Sequence, residues 1–201
     1  MRTLLPGLVL AIVLLILAGL LGGPRSTWDP SIVREALAWR EPRPELTLGA
    51  VWLTQLGGAA VLLPLAALVS ALLWWRRGPV HAMWLALTVL GGRLLVEALK
   101  WATDRPRPSF DAHPVSVASQ AFPSGHAANS MITYLAIALV LLPARWRTAR
   151  VLVAIGLSLL IGLTRPFLGV HWPTDVIGGW ILGLAWTALL WRLAKPRLNP
   201  V

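Results

Sequence analysis

Long apolar stretches constrain this chain more than any other feature, because six of them approach or exceed the length of a membrane crossing. A helix needs about 20 mostly apolar residues to span the hydrocarbon core of a bilayer. The chain is 57% hydrophobic and only 13% charged, and its 201 residues suit one bundle rather than two domains. We therefore predict an all-α fold, a six-transmembrane helix bundle forming a single membrane-embedded domain over residues 1–201, with spans at approximately 4–23, 48–75, 80–99, 125–143, 149–168 and 174–194.

The first two stretches carry features beyond their length. We interpret the first as a span and not as a cleaved signal peptide, because a signal core has about 7–15 residues and ends at a small-residue cleavage site. Here the stretch is nearly as long as a full span and continues into "GGPR". The second stretch contains Gly57, Gly58 and Pro64, which we expect to kink its helix.

A short helix is predicted between these two spans, in the stretch "WDPSIVREALAWREP". Asp29 is expected to cap it, and Pro30 suits its first turn. Ile32, Val33, Ala36 and Leu37 share one face, so we predict an interfacial helix in the first outer loop. A cover over a site, formed by residues 24–47, is the alternative.

Basic and aromatic residues indicate how the bundle is oriented. The net charge is +10, but the bases fall in short clusters between apolar stretches, a pattern of membrane topology and not of nucleic-acid binding. We predict as cytoplasmic the side whose short loops lack acidic residues and carry Arg2, Arg76, Arg77, Arg145, Arg147, Arg150, Arg192, Lys195 and Arg197. An interfacial aromatic belt is predicted from Trp74, Trp75, Trp101, Trp146, Trp172 and Trp191.

Three polar clusters lie at the predicted outer ends of spans and contain residues suited to phosphate. They are "KWATDRPRP", "PSGH" and "TRPFLGVHWPTD". Unpaired cations are costly in such a setting, and phosphate matches the forked guanidinium of arginine. The free N–H groups of a helix start also favour an anion. We therefore predict a phosphate-binding site built from Lys100, Arg107, Ser124, Gly125 and Arg165.

Two histidines and a carboxylate in these clusters supply the remaining groups for displacement at phosphorus. His171 and Asp175 are four residues apart, so one helical turn would bring them together; because Pro173 disfavours a regular helix there, pairing through a turn is the alternative. A carboxylate on one ring nitrogen fixes the tautomer and leaves the other nitrogen free to attack. His126 is then available to protonate the leaving group. No metal-ligand cluster is evident, and the absence of cysteine excludes thiolate sites and disulfides.

Taken together, the clusters resemble the three-part signature of the type 2 phosphatidic acid phosphatase superfamily. That signature is Lys, six residues, Arg-Pro; then Pro-Ser-Gly-His; then Ser-Arg, five residues, His, three residues, Asp. The only departure here is Thr164 in place of the serine, which keeps the hydroxyl. The order of the clusters and the six spans are similar to small bacterial integral-membrane members.

The resemblance implies a metal-independent and cofactor-independent lipid phosphatase. His171 would form a phosphohistidine, Asp175 would orient it, and His126 would be the general acid. The substrate would be undecaprenyl diphosphate, phosphatidylglycerophosphate or phosphatidic acid, and the site would face the extracytoplasmic side of a bacterial cytoplasmic membrane. The alternatives are a lipid phosphotransferase using the same phosphohistidine, a vanadium-dependent haloperoxidase, which the six spans disfavour, and a non-enzymatic transporter or scaffold. The sequence leaves the oligomeric state open.

Several further polar residues and glycines have a structural interpretation as well as a functional one. Arg93 and Glu97 lie inside the third span and are predicted to form an intramembrane ion pair, with Glu97 positioning Lys100 as the alternative. Asp111 and His113 are interpreted as solvated loop residues. The small residues Gly179 and Gly183 are predicted to serve packing within the bundle and not dimerisation.

Overall fold

The computed structural model describes residues 4–117, 119–141 and 144–198, and all regular structure among them is helical. The predicted all-α class is therefore confirmed. A 3-10 turn at Ala144–Trp146 accompanies eight α-helices: α1 Leu4–Leu21, α2 Asp29–Arg40, α3 Pro44–Gln55, α4 Ala59–Arg77, α5 Pro79–Thr103, α6 Gly125–Val140, α7 Arg147–Phe167 and α8 Pro173–Leu198.

Four segments of the described chain are long and apolar enough to cross a membrane. They are Pro44–Arg77, Pro79–Thr103, Arg147–Phe167 and Pro173–Ala194. The predicted spans at 4–23 and 125–143 also form apolar helices, Leu5–Leu21 and Gly125–Val140, but these are shorter. Residues 142 and 143, at the end of the predicted fourth span, lie outside the described residues.

Helix α6 lies at the centre of the bundle, where it packs against α4, α5, α7 and α8. Glycines allow α8 to approach it closely. A Cβ atom on Gly179 would lie 2.7 Å from the carbonyl oxygen of Ser124, and one on Gly183 would lie 2.8 Å from the Cβ of Met131. Both glycines therefore face α6, and their predicted role in packing within the bundle is confirmed.

The second predicted span is broken into two helices at residues 56–58. A Cβ atom on Gly57 would lie 2.5 Å from Cγ2 of Ile161 and 3.2 Å from Cδ2 of His126. Only a glycine lets the backbone pass this close to α6 and α7. The kink is therefore located at the glycine pair, whereas Pro64 lies inside α4, which continues through it.

The predicted short helix is present as α2, but Asp29 does not cap it. Trp28 occupies the N-cap position, and Asp29 is the first helical residue. The buried carboxylate accepts hydrogen bonds from the backbone N–H of Gly23 at 2.6 Å and of Thr174 at 3.2 Å. Because Thr174 is in the first turn of α8, Asp29 satisfies a free N–H group of that helix instead. Val33 faces inward and is fully buried, while Ile32 is exposed.

The arginine-rich helix ends lie at the end of the bundle opposite the three polar clusters. Two of these arginines satisfy the last carbonyl groups of α6: Arg77 donates to the oxygen of Val140 at 2.7 Å, and Arg150 donates to the oxygens of Ala138 and Leu141. Cations at a helix C-terminus also interact favourably with the negative end of the helix dipole. Arg2 lies outside the described residues, as do the side chains of Lys195 and Arg197.

The six tryptophans of the predicted aromatic belt differ in their exposure. Trp74, Trp75, Trp101 and Trp146 are exposed. Trp172 is buried, because its indole N–H donates to the oxygen of Pro106 at 2.8 Å and its ring packs against α2. Trp191 is half-buried and packs edge-on against Trp84 in the core.

Candidate active site

Most of the predicted site residues line a cavity of about 230 Å³ at one end of the bundle. Its wall includes Lys100 from α5, Arg107 from the loop after α5, Gly125 and His126 from α6, Arg165 from α7 and His171 from the turn before α8. Ser124 and Asp175 are fully buried directly behind this wall. The three sequence clusters are therefore neighbours in space.

The imidazole of His171 is held at both ring nitrogens. Nδ1 lies 3.3 Å from Oδ2 of Asp175, and Nε2 lies 2.9 Å from Nη1 of Arg107. A guanidinium only donates hydrogen bonds, so Nε2 must accept and Nδ1 must carry the proton. The ring thus presents an unprotonated Nε2 at the cavity wall, which is the nitrogen that a nucleophilic role requires.

The surroundings of His171 keep its ring neutral. Burial is the largest cause and lowers the pKa well below the ordinary value of 6.5, and the positive charges of Arg107, Arg165 and Lys100 lower the pKa further. The side chain is almost completely buried. A neutral imidazole retains the lone pair of Nε2.

Asp175 is fixed by two partners besides His171. Its Oδ1 accepts from Nη1 of Arg105 at 2.8 Å, and its Oδ2 accepts from the backbone N–H of Trp172 at 2.9 Å. A buried carboxylate is stable only when it is paired and hydrogen-bonded. These contacts leave it little freedom to turn away from His171.

The three predicted phosphate-binding cations are anchored by neutral partners. Lys100 donates to Oγ of Ser119 at 2.7 Å, and Arg107 donates to the backbone oxygens of Ser119 and Val170, each at 2.7 Å. Arg165 donates to Oγ1 of Thr54 at 2.7 Å, while its Nε is buried with no partner among the described residues. Neutral anchors fix the positions of Arg107 and Arg165 without cancelling their charge, whereas Lys100 has the carboxylate of Glu97 nearby as well.

The "PSGH" segment begins α6 with Ser124 as the N-cap residue. The backbone N–H of Ser124 donates to the carbonyl oxygen of Asp175 at 2.9 Å, whereas its buried Oγ has no partner in the described part of the chain. Gly125 leaves the space in front of Lys100 open. A Cβ atom at this position would lie 3.5 Å from Nζ of Lys100 and would occupy part of that space. His126 follows one residue later on the wall and makes no hydrogen bond to a described residue.

The predicted ion pair between Arg93 and Glu97 is not formed. Glu97 instead approaches Lys100, with Oε1 lying 3.9 Å from Nζ, which is the alternative that the sequence left open. Both Arg93 and Glu97 lie on the cavity wall. Since i,i+3 and i,i+4 partners are equally accessible on a helix, spacing alone could not choose between them.

The outer loop residues Asp111 and His113 lie away from the cavity, as predicted. Asp111 pairs with Arg40 of α2 at 2.9 Å, and Nε2 of His113 contacts the oxygen of Pro108 at 2.9 Å. No described residue between 24 and 47 lines the cavity. Helix α2 therefore acts on the site indirectly, by holding the loop between α5 and α6.

Arg105 is the residue that sequence reasoning missed. Besides Asp175, its guanidinium donates to Oγ1 of Thr174 at 3.0 Å and to the oxygens of Ala18 and Gly19 at 2.8 and 2.5 Å. It also lies 4.6 Å from the ring centroid of Phe122. Arg105 lies between Lys100 and Arg107 in the sequence, and this position was the available signal of a role at the site. An arginine in a loop is usually solvated, however, and the spacing did not distinguish Arg105 from such a residue.

Comparison with known proteins shows what the chain as a whole is similar to. A family model described as the PAP2 superfamily matches residues 81–198. The chain is 34% identical over 172 residues to phosphatidylglycerophosphatase B of Bacillus subtilis, covering 83% of this chain and 81% of the relative. It is 30% identical over 145 residues to an undecaprenyl-diphosphatase of Sulfolobus acidocaldarius, covering 70% of this chain and 66% of that relative. The crystal structure of a transmembrane PAP2-type phosphatidylglycerolphosphate phosphatase from Bacillus subtilis has a TM-score of 0.86 and 29% identity, covering 100% of this chain and 99% of that one.

Proposed function

The chain belongs to the PAP2 superfamily, and we propose that it is a membrane-embedded hydrolase that releases phosphate from lipid mono- or diphosphates through a phosphohistidine intermediate. One observation carries this proposal: the unprotonated Nε2 of His171 stands in a cavity whose wall is dominated by cations. A neutral nucleophile among fixed positive charges is suited to an anionic electrophile.

The first chemical step would transfer the phosphoryl group to His171. Lys100, Arg107 and Arg165 would hold the phosphate oxygens, drawing Arg107 away from Nε2 and freeing its lone pair. Nε2 would form a bond to phosphorus as the bond from phosphorus to the leaving oxygen breaks. A bound phosphate favours the protonated form of His126 beside it, and that proton would pass to the leaving oxygen.

The second step would reverse these roles. His126, now neutral, would accept a proton from a water molecule as that water attacks phosphorus. The bond between phosphorus and Nε2 of His171 would break, returning the electron pair to the ring and releasing inorganic phosphate. Asp175 would hold the ring in one orientation through both steps, since its own position is fixed by Arg105 and Trp172.

We propose six membrane crossings, with α3 and α4 together forming the second and α2 lying at the interface. The apolar helices and the outward-facing tryptophans support this arrangement. The end of the bundle that is rich in arginine would be cytoplasmic, so the cavity would face the extracytoplasmic side. A site at this level suits a lipid whose phosphate lies in the headgroup plane.

A phosphate-release assay across lipid phosphates tests the proposed function. Purified protein in detergent micelles is expected to release inorganic phosphate from phosphatidylglycerophosphate, a polyprenyl diphosphate or phosphatidic acid without any acceptor lipid. Release should continue in the presence of a metal chelator, because arginine and lysine supply the charge clamp. Loss of activity on chelation would contradict the metal-independent mechanism, and release only with an acceptor lipid would favour a phosphotransferase.

The pH dependence of the reaction should reflect the lowered pKa of His171. Protonation of Nε2 would block attack, and an ordinary histidine is half protonated near pH 6.5. Because burial and neighbouring cations lower this pKa, kcat/KM is expected to stay on its plateau at pH 6.5 and to fall only at a lower pH. Rates should be referred to the substrate dianion, whose own ionisation lies near pH 6. An acid limb centred at or above pH 6.5 after that correction would contradict the neutral-imidazole assignment.

A further inference from the structure

Arg93 is a cation of the cavity wall that the proposed reaction does not use. It lies in α5, within a segment apolar enough to cross a membrane, and makes no ion pair or hydrogen bond to any described residue. A charged side chain at such depth is costly and characteristically faces a ligand path. Glu97 is engaged with Lys100 and therefore does not neutralise it.

Arg93 lies deeper in the bundle than Lys100, one of the predicted phosphate-binding residues. Arg93, Glu97 and Lys100 follow one face of α5, and the seven residues from Arg93 to Lys100 correspond to about 10 Å along the axis. Arg93 is nevertheless near enough to act electrostatically on both Lys100 and His126. The cavity thus extends from the predicted nucleophile towards the middle of the bundle, with a cation at each level.

Asn129 provides a further uncharged polar group on the same cavity wall. It lies one turn after Gly125 on α6, lines the same cavity, and has no hydrogen-bond partner among the described residues. A Cβ atom on Gly125 would lie 3.5 Å from Nζ of Lys100 and 3.7 Å from Nδ2 of Asn129. The side-chain amide of Asn129 therefore lies next to the same part of the cavity as the ammonium group of Lys100.

The charge of the wall exceeds what a single phosphate would neutralise. Arg93, Lys100, Arg107 and Arg165 oppose the single wall carboxylate of Glu97, while Asp175 lies behind the wall and is paired with Arg105. A phosphomonoester carries about two negative charges. About one positive charge remains, which matches one further phosphate group.

We propose that Arg93 and Asn129 form a second anion-binding subsite, which holds the phosphate group next to the one that is transferred. This inference rests on the proposed function and narrows its substrate class to lipids with two neighbouring phosphates. These are lipid diphosphates and headgroups in which a glycerol joins two phosphates. Phosphatidic acid, with one phosphate, would leave the subsite unused.

Kinetics of Arg93→Gln on the two substrate classes test the subsite. For a polyprenyl diphosphate and for phosphatidylglycerophosphate, kcat/KM is expected to fall about 10- to 100-fold, mainly through KM, because a charged hydrogen bond is lost. For phosphatidic acid the change should stay within about threefold. Arg93→Lys should recover part of the loss. An Arg76→Gln variant, altered at an exposed arginine at the other end of the bundle, should match the wild type on all three lipids.

Three kinetic outcomes would overturn the inference. Unchanged kinetics of Arg93→Gln on the two-phosphate lipids would remove the subsite. An equal loss on phosphatidic acid would assign Arg93 to the transferred phosphate or to folding, and the melting temperature would distinguish these two explanations. A loss of kcat/KM on only one of the two-phosphate lipids would overturn a subsite shared by both. It would indicate a subsite specific for the spacing of the phosphates in that lipid.

A binding measurement separates failure of the subsite from failure of the proposed function. Methylenediphosphonate, which resists hydrolysis, should bind wild-type protein more tightly than orthophosphate does. Arg93→Gln should remove that preference and leave orthophosphate binding unchanged. This result would support the subsite even if no lipid phosphate were hydrolysed. Equal binding of both probes to the wild type would overturn it whatever the enzyme activity.

Discussion

Replacement of His171 by alanine is expected to reduce phosphate release at least a thousandfold, on the scale of losing a covalent nucleophile. The change removes the unprotonated Nε2 together with the ring that Asp175 holds through Nδ1, and no other histidine of the described cavity wall is paired with a carboxylate. Water in the same cavity would lack this alignment. The measurement is initial phosphate release from a lipid phosphate in detergent micelles.

The fold should tolerate this substitution, so loss of activity would be informative. Arg107 keeps its bonds to Ser119 and Val170, and Asp175 keeps those to Arg105 and Trp172. Only one contact of each is lost, and a cost of about 1–3 kcal/mol is expected. Melting temperature and elution volume on size exclusion would check it.

His113→Ala provides the matched control for His171→Ala. It removes the same side chain from the same end of the bundle, but His113 contacts only the oxygen of Pro108 and lies outside the cavity wall. This variant should retain wild-type activity. A His171→Ala protein that keeps the wild-type rate would sink the phosphohistidine mechanism, while loss of activity in both variants would indicate a general disturbance of the outer loop.

The sequence predicted the local parts of the site well, because their spacing is local. His171 and Asp175 are only four residues apart, so their pairing was predicted from the chain itself, although it is made through the turn that begins α8 and not within a helix. Convergence of the three clusters did not follow from spacing. Arg165 meets Thr54 across 111 residues of chain, a contact that depends on how α3 packs against α7. The sequence placed the clusters at one predicted end of the bundle, but only the packing of the helices brings their side chains together.

The misjudgements of Asp29 and Arg105 have a common physical origin, since each concerns a polar group with a partner far away in the chain. Asp29 was expected to cap its own helix but satisfies the start of α8 instead. Arg105 was assigned no role from the sequence but is buried among residues of α1 and α8. Periodicity identifies which face of a helix is apolar. It does not identify which distant backbone group needs a donor or an acceptor.

Arg105→Gln is expected to lower both stability and turnover, although Arg105 does not line the cavity. The substitution leaves the buried carboxylate of Asp175 without its ion-pair partner, and removing one member of a buried pair costs about 3–5 kcal/mol. It also frees the carboxylate that holds Nδ1 of His171. Since no contact with substrate is lost, kcat should fall about a hundredfold with KM nearly unchanged.

Coupling to Asp175 distinguishes a positioning role from simple destabilisation. If Arg105 acts through that carboxylate, adding Arg105→Gln to Asp175→Asn should lower kcat little beyond Asp175→Asn alone. Arg105→Lys should restore part of the stability but less of the turnover, because a lysine cannot reproduce the fork that joins Asp175 to the oxygens of α1. Arg34→Gln, at an exposed arginine over the ring of Phe110, is the control and should leave kcat unchanged. Multiplicative losses in the double variant would show that Arg105 affects turnover independently of Asp175, and the positioning role would then be wrong.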